Sequence, residues 1–103
     1  MFGNMMGQMQ EMQGRLKEKL RSIEVEATAG DGAVRVKMNA ARELLNIHLD
    51  AEQLDMTDTE HIEDLLVVAV NRALAEAAAK EAAEGQQLIQ GMLPPGLGSL
   101  FGM

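Results

Sequence analysis

The sequence predicts an α+β fold: an N-terminal helix, a three-stranded antiparallel β-meander, a short helical turn and a long C-terminal helix, in a chain that is dimeric. Three observations predict it. Apolar residues recur at helical spacing from Met5 to Ile23, alternate with polar ones from Ile23 to Leu49, and return to helical spacing after Thr57. With 103 residues the chain holds a single domain.

The first helix rests on Met5, Met9, Met12, Leu16, Leu20 and Ile23, whose steps of 4, 3, 4, 4 and 3 make one apolar stripe. Arg15 and Lys19 fall on one flank of that stripe and Lys17 and Arg21 on the other, with Glu11 and Glu18 behind. Basic residues therefore rim an apolar seam.

From Ile23 the period becomes two. Val25 and Ala27 alternate with Glu24 and Glu26, Gly30-Asp31-Gly32 supplies a tight turn, and Val34, Val36 and Met38 alternate with Arg35 and Lys37. A two-residue loop at Gly30-Asp31 is expected to set Val25 opposite Val36, Glu26 opposite Arg35 and Glu24 opposite Lys37. Leu45, Ile47 and Leu49 then form a third strand, facing Met38, Val36 and Val34 and giving the sheet one apolar face.

Asp50 with Gln53 reads as a capping box for the short turn, and Thr57 with Glu60 as one for the last helix. Ile62, Leu65, Leu66, Ala69 and Ala73 form its stripe, while Val67, Val68, Val70 and Leu74 make it apolar nearly all round. One sheet covers one side only, so the remainder calls for a partner chain, most simply a second copy. From Ala73 to Glu84 the helix becomes an alanine arm, expected to project into solvent with Glu76–Lys80 and Lys80–Glu84 pairs and to end at Gly85 or Gly91. Residues 1–91 are read as one α-β-β-β-α domain and residues 92–103, with Pro94-Pro95, as a flexible tail.

Composition narrows the function. With no Cys there is no disulfide or thiolate zinc site, and Leu65 to Val70, the longest strongly apolar run, is too short to span a membrane. Residues 1–13 lack the Lys or Arg that opens a secretory signal, so a soluble, unexported protein is expected. The net charge of −7 argues against a nucleic-acid partner as a whole-chain figure, but it is unevenly spread: residues 1–25 carry +1, residues 26–49 are neutral and residues 50–84 carry −8.

Catalytic constellations are absent: Ser22 and Ser99 have no nucleophile-elbow context, and no phosphate-binding glycine loop occurs. His61 has Leu65 rather than a second His four residues on, and His48 is expected on the polar sheet face near Arg35. No cofactor, metal or small-molecule substrate is expected. Arg15, Lys17, Lys19 and Arg21 suit two roles, phosphate contacts or helix-pair positions whose long stems cover an apolar interface.

Four segments resemble the YbaB/EbfC nucleoid-associated proteins: Met1-Phe2-Gly3 leading to Met9-Gln10-Glu11-Met12-Gln13; Glu24-Val25-Glu26 through Ala29-Gly30-Asp31-Gly32 to Val34-Arg35-Val36; Glu63-Asp64-Leu65 to Ala69-Val70-Asn71-Arg72-Ala73; and Leu93-Pro94-Pro95-Gly96. Their order and spacing extend over nearly the whole chain. The resemblance implies a bacterial cytoplasmic, nucleoid-associated homodimer whose helices reach from a central sheet like tweezers. It also implies binding of duplex DNA, with a role in chromosome organisation or gene regulation and no enzymatic activity. The positions it assigns to DNA are Arg15, Lys17, Lys19 and Arg21 in the first helix, with Arg72 and Lys80 in the last. Four phosphates neutralised by one first helix correspond to a slope of log K against log salt of about −3.6. The competing expectation is a dimeric protein-interaction module of the same fold, using the Met-rich seam, the alanine arm or the tail.

Overall fold

The computed structural model describes the backbone of residues 2–92 and the side chains of residues 5–91; the expected tail lies outside the described residues. Helix α1 spans Phe2–Ser22, followed by strands β1 (Glu24–Ala29), β2 (Val34–Asn39) and β3 (Leu44–Leu49) and helix α2 (Thr59–Met92). The strands form one antiparallel sheet in the order β1-β2-β3, so β1 and β3 are both edges. Helix α2 lies over β1 and β2, and α1 runs beside α2 and reaches the end of β2. The result is elongated, 62 × 33 × 17 Å.

The hairpin turn is centred one residue later than expected. Asp31 (φ 55°) and Gly32 (φ 85°) are its central residues, and Ala33 N–H donates to the Gly30 carbonyl at 3.1 Å. Asp-Gly suits a turn with two positive φ angles, because Asp tolerates the left-handed region and Gly enters it without a Cβ clash. Partners therefore shift by two: Val25 faces Met38, Ala27 faces Val36 and Ala29 faces Val34. Since the side-chain period is also two, the same residues stay on the apolar face although every residue, apolar or charged, meets a different partner. Glu26 stands opposite Lys37, Arg35 opposite Thr28, and Lys37 Nζ reaches Glu24 diagonally at 3.6 Å.

Strand β3 meets β2 as expected at Val34–Leu49 and Val36–Ile47, but a bulge between Lys37 and Met38 places Leu44, not Leu45, opposite Met38. The loop before it is clasped by Asn39. Its side-chain amide donates to Glu43 Oε1 at 2.9 Å and accepts from the Glu43 N–H at 3.0 Å, and its own N–H donates to the Glu43 carbonyl at 3.0 Å.

After β3, Asp50 starts the short turn. Its carboxylate accepts from Glu52 N–H at 3.0 Å and from the Gln53 side chain at 2.8 Å, and its carbonyl accepts from Gln53 and Leu54 N–H. The cap of α2 is Asp58 rather than Thr57: His61 N–H donates to Asp58 Oδ1 at 3.2 Å, satisfying one of the helix's free first-turn donors. The Thr57 hydroxyl instead donates to Asp55 Oδ1 at 2.6 Å.

The core is aliphatic and shallow. Val25, Ala27 and Ala29 of β1 and Val34, Val36 and Met38 of β2 pack with Ala33, Leu54, Ile62, Ala69, Ala73 and Ala77. The alanine segment is therefore not wholly a solvated arm. Ala69, Ala73 and Ala77, spaced one helical turn apart, are fully buried, because a row of small side chains brings α2 close to the sheet. Nor does Gly85 or Gly91 end the helix, which continues through both to Met92. The expected Glu76–Lys80 and Lys80–Glu84 pairs do not form; Glu84 turns to α1 instead.

Candidate nucleic-acid interface

The candidate interface is built on the C-terminal half of α1, which holds a run of four basic residues because no helix breaker interrupts Glu11 to Ser22 except Gly14. The apolar stripe becomes more buried along its length. Met5 and Met9 are exposed, Met12 and Leu16 half-buried, and Leu20 buried at the junction with the loop after β2. Leu20 and Ile23 carbonyls accept from Ala40 N–H at 3.1 and 2.8 Å, tying the end of α1 to that loop. Lys19 and Arg21 in its last turn also complement the negative end of the helix dipole.

Docking of α1 presents its two basic flanks to different acids. On one flank Arg15 and Lys19 border a cleft against α2 lined by Met12, Leu16, Glu84, Gln87 and Leu88, and Lys19 Nζ lies 3.2 Å from Glu84 Oε2. On the other flank Arg21 Nε donates to Glu43 Oε1 at 3.1 Å. The Glu43 carboxyl is held below the usual carboxylate range, chiefly by the Asn39 amide and further by the charges of Arg21 and Lys17. Arg15 and Lys17 are exposed and make no ion pair among the described residues.

The two α2 positions differ in kind. Arg72 Nη1 donates to the Thr28 carbonyl at 2.8 Å, so its guanidinium ties α2 to the edge strand β1. Lys80 is exposed on α2 without an ion pair among the described residues. Arg42, absent from the sequence-based set, stands in the β2–β3 loop with φ 65° and reaches Glu81 at 3.4 Å. Its sequence context, three residues after the clasping Asn39, holds no signal of that proximity.

On the outer sheet face Arg35 stands opposite His48, as the β2–β3 register predicts. Among the described residues no group of three or more His, Asp or Glu side chains is arranged to hold a metal ion. Among the described residues no helix is long and apolar enough to cross a membrane.

A helix bearing a basic rim, beside a thin sheet and a second helix that extends past it, defines a small α+β protein with an elongated cationic helix surface. Residues 1–92 match the model of the YbaB/EbfC DNA-binding family, and the chain belongs to that family. It is 41% identical over 93 residues to a nucleoid-associated protein of Clostridium novyi, covering 90% of this chain and 78% of the relative. A nucleoid-associated protein of Thermoanaerobacter pseudethanolicus is 40% identical over 99 residues, covering 93% and 89% of the two chains. One from Acidobacterium capsulatum is 44% identical over 101 residues, covering 90% and 92%. The fold is shared with the crystal structure of the uncharacterized protein HP0035 from Helicobacter pylori, at a TM-score of 0.71 and 20% identity over 85% of this chain and 92% of that one.

Proposed function

We propose that this chain is a non-enzymatic, nucleoid-associated protein of the bacterial cytoplasm that binds duplex DNA as a homodimer, mainly through phosphate contacts from α1, and serves chromosome organisation or gene regulation. The observation that carries the reading is the run Arg15, Lys17, Lys19 and Arg21, exposed along one helix of a chain in a DNA-binding family. Arg15 and Lys17 are open to phosphate directly; Lys19 and Arg21 remain half-exposed within their ion pairs. Lys80 adds a cation on α2, and Arg72 contributes charge from a position fixed by Thr28. Among the described residues no helix stands out as a recognition helix with an Arg, Asn and Gln set for base edges, so little sequence preference is expected.

The homodimer is supported by the sheet. Helix α2 packs mainly on β1 and β2, and Leu44, Leu45 and Ile47 are 49%, 46% and 40% exposed on the edge strand β3, with Val67 and Val68 of α2 also exposed. An open apolar edge of this kind is an aggregation hazard in a monomer and a self-complementary surface in a twofold dimer.

Mobility shift of a duplex at rising salt tests the reading. The parent is expected to bind at low salt with a steep salt dependence, and a variant with Arg15, Lys17, Lys19 and Arg21 all changed to Ala to lose most of it. Unchanged affinity in the variant removes the residue assignment, and no binding by the parent at low salt removes the function. A second reading, a protein-interaction module of the same fold, is favoured by one observation: Met5, Met6 and Met9 are exposed side by side near the start of α1, as adaptable apolar surface. It predicts a protein partner retained after nuclease treatment, together with no duplex shift.

A further inference from the structure

The acids of the last helix and of the β2–β3 loop do more than make the chain acidic. Taken by itself, the second half of α1 is a basic rod; the fold brings Glu84 from α2 to one flank and Glu43 from the loop to the other. We propose that Glu84 and Glu43 are built-in competitors for phosphate, each occupying one cation of α1 and setting DNA affinity below what the charge of α1 alone would give; the proposal rests on the α1 phosphate-contact reading.

Geometry supports a competitor's role. Lys19 and Glu84 lie 3.2 Å apart, and Arg21 and Glu43 3.1 Å apart, the distances at which a phosphate oxygen would itself sit. In the first pair the cation is the exposed member: the Lys19 side chain is 58% accessible and that of Glu84 only 18%. Glu84 is thus partly enclosed in the α1–α2 cleft, alongside Leu16, Gln87 and Leu88, and has less room to move away than Lys19. Glu43 is fixed by the Asn39 amide at 2.9 Å, a bond that does not depend on Arg21. A phosphate approaching either cation must therefore replace an existing ion pair and face a carboxylate that does not leave. Arg15 and Lys17 make no ion pair among the described residues, although the charge of Lys17 also acts on Glu43. The second half of α1 thus carries two cations without a direct partner and two already paired.

Because the cation of each pair is more than half exposed, each competitor has a modest, salt-sensitive effect. Glu84→Gln is the cleaner probe, since Glu43 also holds the loop. The experiment titrates a labelled duplex with the full-length parent, Glu84→Gln, Lys19→Ala, the Lys19→Ala/Glu84→Gln double variant, and Glu63→Gln, which makes the same charge change at an exposed α2 position remote from α1. The expected result is about a threefold gain in affinity for Glu84→Gln at low salt. The gain shrinks as salt rises, disappears in the Lys19→Ala background, and is absent in Glu63→Gln.

Equal affinity of Glu84→Gln and parent overturns the proposal. So does an equal gain from Glu63→Gln, which would make net charge the cause, or a gain that survives Lys19→Ala. No shift by the parent at low salt removes the function and the proposal with it. An Arg15→Ala/Lys17→Ala variant separates the two levels. Weakened binding there with no effect of Glu84→Gln overturns the competitor idea alone, whereas parent-like binding there overturns the α1 reading and the proposal with it.

Discussion

Arg72 Nη1 donates a 2.8 Å hydrogen bond to the main-chain carbonyl of Thr28, so a side chain of α2 covers part of the free edge of β1. The other edge, β3, has no such cover from α2. An edge strand exposes unpaired backbone groups, and a charged residue laid against one is a known way to block further pairing. The two edges of this sheet are thus unequal.

Arg72→Ala is expected to lower stability by about 1 kcal/mol, as for one exposed hydrogen bond. Arg72→Lys keeps the charge but loses the planar donor, so it should show much of the same loss in thermal unfolding while leaving the salt dependence of duplex binding as in the parent. A purely DNA-facing Arg72 would instead leave Arg72→Ala as stable as the parent and lower its salt dependence of duplex binding.

Ile47→Glu tests the open edge. Ile47 is 40% exposed opposite the fully buried Val36, so the change leaves the main core intact. Sedimentation of the parent should give twice the 11.2 kDa chain mass, and the variant should sediment as the monomer. A parent that stays monomeric at all concentrations would remove the dimer.

The stripe of Ala69, Ala73 and Ala77 sets how closely α2 approaches the sheet. Ala73→Leu is expected to cost about 1–3 kcal/mol through overpacking, whereas Ala75→Leu, on an exposed position, should cost little. Chemical denaturation of the two variants makes the comparison.

At the hairpin, Gly30 (φ 64°) and Gly32 (φ 85°) both occupy backbone space unfavourable to other residues, but their surroundings differ. A Cβ on Gly30 would meet Leu65 Cδ1 at 3.0 Å, and one on Gly32 would meet nothing within 4 Å. Both Ala variants should be strained by about 1–2 kcal/mol. Gly30→Ala is expected to melt lower than Gly32→Ala, because Leu65 must also move.

Three carboxyls are held below their ordinary range: Glu43 chiefly by the Asn39 amide, Asp50 by the Glu52 N–H and Asp55 by the Thr57 hydroxyl. The folded chain then binds fewer protons than the unfolded one at acidic pH. Their contribution is complete above the unfolded carboxylate range, about pH 4, and is lost as pH falls through the depressed folded values. Asp55→Asn should reduce the stability difference between neutral pH and pH 3, read from thermal midpoints; an unchanged difference would remove Asp55 from this account.

Much of the fold is legible in local pattern. The steps of Met5 to Ile23 specify α1, the alternation of Val34, Val36 and Met38 specifies an interior strand face, and the parity of the turn keeps that face inward even though the pairing lies two residues from its expected partners. Where local rules offered near-equal choices, the outcome depended on detail. Thr57 and Asp58 are both good caps, and Gly30-Asp31 and Asp31-Gly32 are both good turns, so neighbouring backbone geometry decided between them.

The sequence by itself determined the order of elements, the apolar faces, the family and the presence of four cations on one helix, because periodicity and motif spacing are properties of neighbouring residues. Only the tertiary structure decided what the chain's cations meet. Lys19 faces Glu84, Arg21 faces Glu43, Arg42 faces Glu81 and Arg72 faces the Thr28 carbonyl. Each of these contacts joins different elements, and its existence depends on the approach of α2 to the sheet over Ala69, Ala73 and Ala77 and on how α1 lies beside α2. Charge counts along the chain concentrate acid in the second half and leave the first nearly neutral, with its cations gathered on α1; folding lays the two halves against each other.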